Sequence, residues 1–399
     1  MLSLFVGAIP LLDLLRGTYM PFNTPGVLIL FTFLAICLSP GEIAAYWKRK
    51  DMRYILAAAV TYWLLSFALT GDYSRNLRSI EWAATASAVF MLSERRSYLG
   101  TALLGVGISA IAMGLALLPY GDRLGMGYVP GMEWGIGNPV VLGVPTAFFI
   151  LMCFAERGKW VLLDRYPYAR LGLIAISSFF LLLSTNRGSW FILLFGMILI
   201  GIYDRKARTQ MLVSIAGAGL VITIVAGLHL SPRFSNVQHY LVQTFSPDTS
   251  IEKRTTGRID QWRALPVILE ASPVWGVGPG GGRAASVAYA GKNIIFHSLY
   301  LQIAAETGLL GVPLLLLLLG SVTRTCWAHF RAYGEVVPLI GIVSYMLLGL
   351  SVEGLDILGG LLLGVGFIGG NTTNLWIVRE ERLVTMYPNL EPVAHSCDC

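Results

Sequence analysis

The longest stretch of this chain that is not built for lipid is residues 231–308, which read SPRFSNVQHYLVQTFSPDTSIEKRTTGRIDQWRALPVILEASPVWGVGPGGGRAASVAYAGKNIIFHSLYLQIAAETG. It lies between two strongly apolar segments, 211–230 and 309–322. A loop of this length with no transmembrane segment of its own is usually functional or disordered. Its many aromatic and aliphatic residues favour a folded loop. We therefore expect residues 231–308 to carry the functional site.

Composition indicates a membrane protein. Hydrophobic residues make up 55% of the chain and charged residues 13%, against about 25% charged in a soluble domain. The apolar runs recur at lengths of roughly 17–21 residues, which a helix needs to cross a bilayer. We predict an all-α polytopic membrane protein, a single integral membrane domain over residues 1–399 with about 12 transmembrane helices. The predicted spans are 2–15, 22–38, 54–70, 78–93, 98–118, 138–155, 169–185, 189–203, 211–230, 309–327, 336–352 and 357–376.

The distribution of basic residues predicts the orientation, because cytoplasmic loops are enriched in Lys and Arg. With the N-terminus inside, the inner side carries seventeen of these residues and the short outer loops carry five. The seven in residues 231–308 barely count, because long segments cross the membrane regardless of charge. We therefore place the long loop outside, before the last three spans. The first span lacks a basic n-region, so we expect it to be uncleaved.

Two positions on the outer face combine polar chemistry with a defined local structure. Arg187 lies in the tight turn STNRG, residues 184–188, between the seventh and eighth spans. An arginine at this boundary commonly extends to the lipid head groups, so Arg187 alone is ambiguous. His297 is predicted to precede a short helix, 298–307, which breaks near Gly308 before the tenth span continues. A lone histidine is often only a hydrogen-bonded structural residue, and both interpretations stay open here.

The centre of the long loop has a helix and a glycine-rich segment. Residues 258–270 are predicted to form a helix that places Arg258 and Trp262 on one face, with Pro266 kinking or ending it. Residues 272–283, SPVWGVGPGGGR, lack the pattern of a nucleotide-binding loop, and we interpret them as a flexible connector. The chain has no HExxH, CxxC or Walker motif. Its C-terminal H-x-C-x-C is expected to be a solvated end rather than a metal site.

The basic residues of the long loop suit an anionic ligand. They are Arg233, Lys253, Arg254, Arg258, Arg263, Arg283 and Lys292. The planar guanidinium group of arginine binds phosphate through two parallel hydrogen bonds, and a diphosphate can engage more than one arginine. ATP-type donors are scarce outside the inner membrane. The sequence therefore predicts a lipid diphosphate as the anionic donor.

Four motifs in order resemble a known family. They are NRG at 186–188, TGRIDQW at 256–262, P-x-x-G-x-G at 273–278, and HSLYLQxxxExGLLG at 297–311. Together they resemble the signature of the O-antigen ligase and O-antigen polymerase superfamily, with Asn186 where the family usually has serine. The predicted span number and the position of the long loop are also similar to this family.

The resemblance implies a metal-independent glycosyltransferase with a GT-C-like fold, in the bacterial inner membrane with its active face in the periplasm. Family members take a glycan from undecaprenyl diphosphate, and ligases pass it to the lipid A-core. Arg187 and Arg258 match the arginines that hold the donor diphosphate, and His297 matches the histidine that activates the acceptor hydroxyl. We further expect the substrate-binding residues to include Arg254, Arg263, Trp262, Gly276 and Gly278. The expected partners are the glycan donor, a lipid A-core or glycan acceptor, and membrane lipids, with no metal, cofactor or nucleic acid.

Three alternatives remain at the level of sequence. A polymerase of the same superfamily would add the glycan to another repeat unit. A lipid-linked glycan transporter would place its binding groups near the bilayer midplane, often on repeated or broken helices. The sequence has no evident internal repeat, and its polar groups cluster on one side. A receptor or scaffold could also use a basic outer loop to bind head groups or polysaccharide.

In a glycosyltransferase of this kind, we expect residues 119–137 and 279–296 to recognise the acceptor.

Overall fold

The computed structural model describes residues 2–14, 60–62, 64, 68, 73–93, 96–117, 139–204, 207–211, 258–352 and 356–370. Within these ranges every regular element is a helix. The α-helices are α1 (Leu2–Gly7), α2 (Ile9–Leu14), α3 (Tyr73–Leu92), α4 (Arg96–Leu117), α5 (Pro139–Phe154), α6 (Pro167–Ser184), α7 (Arg187–Tyr203), α8 (Arg258–Ala271), α9 (Gly282–Ala290), α10 (Leu299–Tyr333), α11 (Val337–Ser351) and α12 (Ile357–Phe367). Two 3₁₀ helices, Ala155–Val161 and Ile368–Gly370, follow α5 and α12.

The fold is that of an all-α membrane protein. Four of the described helical segments are long and apolar enough to cross a membrane: Arg96–Leu117, Val140–Val161, Pro167–Ser184 and Leu299–Tyr333. Helices α3 to α7 and α10 to α12 occupy the positions of eight predicted spans. The predicted spans 22–38, most of 54–70 and nearly all of 211–230 lie outside the described residues. The total of twelve spans therefore stays a prediction.

Close helix packing depends on small residues at the contacts. Helix α12 packs against α3 through Gly360 and Gly364, which are four residues apart and so lie on one face. A side chain at Gly360 would clash with the Trp82 carbonyl, and one at Gly364 would lie 2.7 Å from the Val89 Cβ. Small residues let membrane helices approach closely enough for such contacts. Helix α11 also packs against α12, so α3, α11 and α12 pack together.

A cluster of charged residues joins several helices near the C-terminal end of α10. The Arg96 guanidinium lies 3.7 Å from Glu156 and 3.9 Å from Glu335, and it stacks over Trp160. Glu335 also contacts His329 at 3.1 Å. This cluster links the start of α4, the 3₁₀ helix after α5 and the turn between α10 and α11.

The described part of the long loop, residues 258–308, has its own small hydrophobic core. Helix α8 buries Gln261, Ala264 and Ile268 at helical spacing, as expected for one packed face. The core formed with α9 and α10 contains Ile268, Ala285, Phe296, Leu301 and Ala305. The prediction that this part of the loop folds is therefore confirmed. Its helices precede α10, α11 and α12 in the chain.

The structure of the loop agrees with one of its local predictions and departs from two others. The break at Gly308 is confirmed, because this residue has φ 64° and ψ −161° inside α10. The prediction that Pro266 ends the first half of α8 is wrong, because α8 continues to Ala271, whereas a kink at Pro266 stays a prediction. Pro266 is exposed on the face of α8 away from the loop core. The segment 272–283 is also not a flexible connector, since it is bonded to α10 and its last residues begin α9.

Candidate functional site

Arg187 is fixed by the tight turn between α6 and α7. It is the first residue of α7, and Asn186 caps the helix. The Asn186 side-chain oxygen accepts a hydrogen bond from the Gly188 N–H at 2.9 Å. Asparagine and serine both cap helix N-termini well, which explains how Asn186 can stand where the family usually has serine. The turn holds Arg187 half-buried at the start of α7.

Arg258 joins Arg187 at one site. It is the first residue of α8, and its Nη2 donates a hydrogen bond to the Ser351 carbonyl oxygen at 3.1 Å. Burial lowers the pKa of Arg258, and the positive charge of Arg187 lowers it further. The two guanidinium groups are therefore close enough to repel one another, although their helices are far apart in sequence. Such a pair favours an anion that can lie against both groups.

His297 is held at the edge of the same region through its backbone. Its N–H donates to the Gln261 side-chain oxygen at 3.0 Å, and Gln261 lies three residues after Arg258 on α8. The next residue, Ser298, donates from its hydroxyl to the Gly349 carbonyl at 3.1 Å. The imidazole belongs to an exposed residue at the start of α10. His297 is thus accessible to a substrate while its backbone is fixed.

The C-terminal end of α11, residues 349–352, connects the three predicted catalytic residues. Its carbonyl groups accept hydrogen bonds from Arg258 and from the Ser298 hydroxyl, and the Val352 carbonyl accepts from the Leu299 N–H at 3.0 Å. Gly188 packs against Ser351, since a side chain there would lie 2.5 Å from the Ser351 hydroxyl. The last carbonyl groups of a helix have no intrahelical partners. The end of α11 therefore holds Arg258 and the two residues that follow His297 through acceptors that the helix leaves open, and it packs against Gly188, which follows Arg187.

Gly276 and Gly278 lie behind this site and pack on the break in α10. The Val277 and Gly278 N–H groups donate to the Ala305 and Glu306 carbonyls, each at 3.0 Å. Gly276 has φ 67°, and a Cβ there would lie 2.5 Å from the Gly308 nitrogen. The structure gives these glycines a clear packing role. A direct part in substrate binding stays a prediction.

The remaining predicted substrate residues differ in their positions. Trp262 is 62% exposed on α8, and Arg263 is also exposed. Trp262 follows Arg258 by four residues, so the two lie on the same side of the helix. Arg254 lies outside the described residues.

Sequence reasoning did not identify Gln261 and Ser351 as part of the site. Gln261 belongs to the TGRIDQW motif and lies on the buried face of α8. Its spacing of three residues from Arg258 could have indicated that it lies near the site. Ser351 contributes a backbone carbonyl. Any residue carries such an acceptor, so the sequence offered no signal for it.

A comparison with protein families supports the resemblance. Residues 172–317 match the family model described as O-antigen ligase. The predicted resemblance is confirmed, and the matched range includes Arg187, Arg258 and His297. A search of curated proteins found no match. This match supports an enzyme of the glycosyltransferase type, of the O-antigen ligase or polymerase kind.

Proposed function

We propose that this protein transfers a glycan from an undecaprenyl-diphosphate donor to an acceptor hydroxyl at the periplasmic face, as an O-antigen ligase that uses the lipid A-core. The observation that carries the proposal is the approach of Arg187 to the half-buried Arg258, whose pKa is lowered by burial and further by the charge of Arg187. Two like charges held together are unfavourable until an anion offsets them. A diphosphate supplies two negative groups, and each guanidinium can bind one of them through paired hydrogen bonds.

The proposed reaction exchanges one bond at the anomeric carbon. The acceptor oxygen attacks this carbon, the carbon–oxygen bond to the diphosphate breaks, and undecaprenyl diphosphate leaves with the bonding electrons. Arg187 and Arg258 stabilise the charge that develops on the leaving group. His297 accepts the proton of the acceptor hydroxyl and later releases it to solvent. In this scheme the two arginines stabilise the leaving diphosphate, a role that a metal ion has in other glycosyltransferases.

Transfer by the purified protein tests the proposal. The protein is placed in lipid nanodiscs with the lipid-diphosphate donor, lipid A-core and a chelator, without nucleotide. We expect a glycan-bearing lipid A-core and one released undecaprenyl diphosphate per transfer, and we expect Arg258→Ala to abolish both products. Longer glycan chains on the donor without use of the core would identify a polymerase instead. In sealed vesicles, donor movement across the bilayer without bond cleavage would identify a transporter.

The proposed orientation has a separate test. Tyr289 on α9 and Arg331 near the end of α10 are both exposed and lie at opposite ends of the proposed topology. A cysteine at position 289 should react with a membrane-impermeant reagent added outside intact cells. A cysteine at position 331 should react only after the cells are permeabilised. The reverse pattern would place the site in the cytoplasm and exclude a periplasmic reaction.

A further inference from the structure

The break in α10 and the glycine-rich segment form one rigid unit. Besides the two hydrogen bonds donated by Val277 and Gly278, the Leu309 and Leu310 N–H groups donate to the Pro273 and Val274 carbonyls at 2.9 and 3.3 Å. Backbone hydrogen bonds therefore run in both directions across this contact. We call the four residues Val274, Trp275, Leu309 and Leu310 the elbow. Its two halves cannot move independently without breaking these bonds.

The elbow exposes apolar side chains although its backbone is firmly held. Trp275 is 75% exposed and Leu309 is 59% exposed, and Val274 and Leu310 are also exposed. A contiguous apolar patch of this kind marks an interaction surface. No charged residue occurs in residues 271–282 or 307–323, on either side of the elbow. An uncharged, apolar partner is therefore favoured over a polar macromolecule.

The elbow is continuous with the apolar surface of α10. Beyond the elbow, this helix exposes Leu314, Leu316 and Leu317, and it is long and apolar enough to cross a membrane. Tryptophan is enriched at the boundary between the hydrocarbon core and water, because its ring is apolar and its N–H is polar. Trp275 lies at the end of the apolar part of α10, where this boundary is expected.

We propose that the elbow inserts into the interfacial layer of the lipid leaflet on the side of the candidate site. Its partner is the bilayer itself. The first part of α10, residues 299–307, would then extend about 14 Å from the elbow toward His297. The elbow thus fixes the distance of His297 from the membrane surface. This last consequence rests on the proposed function, whereas lipid contact by the elbow does not.

An environment-sensitive fluorophore at position 275 tests the proposal. The five native cysteines are replaced, Trp275→Cys is labelled, and the full-length protein is placed in nanodiscs with or without nitroxide-bearing lipids. We expect blue-shifted emission, loss of most fluorescence with nitroxide lipids, and little quenching by aqueous iodide. Tyr289→Cys is the matched control, because Tyr289 is exposed on α9 between the exposed charges Arg283 and Lys292. Its label should be quenched by iodide and not by lipid.

Two outcomes would overturn the proposal. Iodide quenching at position 275 equal to that at position 289 would place the elbow in water. Protection from both quenchers, together with disulfide-linked dimers of the Trp275→Cys protein before labelling, would show that a second copy covers the elbow. Leu309→Cys provides a second labelling position if Trp275→Cys does not elute as a single species. Fluorescence needs no substrate, so a failure of the proposed glycan transfer leaves this result interpretable.

Discussion

The side chain of Gln261 accepts a hydrogen bond from the backbone N–H of His297 at 3.0 Å. Gln261 is only 4% exposed, and it lies within one helical turn of Arg258. A single turn of α8 therefore carries Arg258, which we propose binds the donor, and Gln261, which is bonded to the backbone of His297. Through this turn, the distance between the donor diphosphate and the proposed base can be kept constant.

Gln261→Met is expected to lower kcat with little change in the KM for the donor. Methionine has a similar volume, but it removes the acceptor of the His297 N–H. Loss of a partly buried hydrogen bond costs about 1 kcal/mol. Gln261→Glu keeps an oxygen in place and should restore part of kcat. Steady-state kinetics on the three proteins provides the measurement. Equal losses in the Met and Glu variants would indicate that this hydrogen bond does not position His297.

The contact between Gly188 and Ser351 predicts a pairwise rescue. A methyl group at Gly188 would lie 2.5 Å from the Ser351 hydroxyl, so Gly188→Ala should displace either Arg187 or the end of α11. Ser351→Gly removes the obstructing side chain and keeps the carbonyl that binds Arg258. We expect the double variant to be more active than Gly188→Ala alone. Transfer rates of the wild type, the two single variants and the double variant form a double-mutant cycle. Strictly additive losses of activity would contradict a direct steric contact.

The packing of Gly276 on Gly308 predicts a large loss of stability on substitution. Alanine at either position would meet backbone atoms of the other segment, including the Gly308 and Gly276 nitrogens at 2.5 Å. Overpacking of this kind costs about 1–3 kcal/mol, in addition to about 1–2 kcal/mol for a side chain at positive φ. Gly291→Ala is the matched control, because Gly291 has φ 64° and no atom within 4 Å of its would-be Cβ.

Thermal unfolding in detergent measures this difference. We expect Gly291→Ala to show only the backbone strain, with a small decrease in Tm. Gly276→Ala and Gly308→Ala should decrease Tm considerably more. Similar decreases for all three variants would show that the close contact at the break in α10 contributes little to stability.

The parts of the fold that follow from bilayer thickness could be predicted from the sequence. The apolar run at 169–185 became α6 because a helix must satisfy its own backbone in lipid. Arg258 at the start of α8 and the break at Gly308 were also predictable, because helical spacing and glycine mark them locally. The contact of Arg258 with Ser351 could not be predicted, because a backbone carbonyl acceptor has no sequence signature. The persistence of α8 through Pro266 depends on packing of the opposite face, which local propensity does not describe.

The paired arginines predict that inorganic diphosphate stabilises the protein. Burial and the charge of Arg187 lower the pKa of Arg258, so the folded protein is destabilised by holding the guanidinium charged at neutral pH. Because arginine stays protonated in proteins, a bound anion would offset this cost. Diphosphate should raise the Tm of the wild type by mass action. The increase should be much smaller in Arg187→Ala and Arg258→Ala.

Substitution by lysine separates paired hydrogen bonding from simple charge. Arg187→Lys and Arg258→Lys keep the charge but lose the planar group that can bind a phosphate with two hydrogen bonds. We expect each to reduce transfer by roughly 10²-fold or more. Arg263→Lys, at an exposed position on the same helix as Arg258, should have a mild effect. Near-normal transfer by both lysine variants, at normal protein levels, would contradict a diphosphate clamp.

His297 is predicted to act as the base that accepts the proton of the acceptor hydroxyl. His297→Gln can still form hydrogen bonds but cannot take up the proton, so it should bind donor normally and fail to transfer. A protonated imidazole cannot act as a base. Wild-type transfer should therefore fall as the pH decreases and the imidazole takes up a proton.

Transfer and donor binding are measured side by side for the wild type and His297→Gln from pH 5 to 8. The arginines are not altered in this variant, so donor binding serves as the internal control for folding. The decisive comparison is made under single-turnover conditions, where proton transfer is not hidden by product release. A flat wild-type profile, or near-normal turnover by His297→Gln, would leave His297 as a residue that orients the acceptor and would require a different proton acceptor in the reaction.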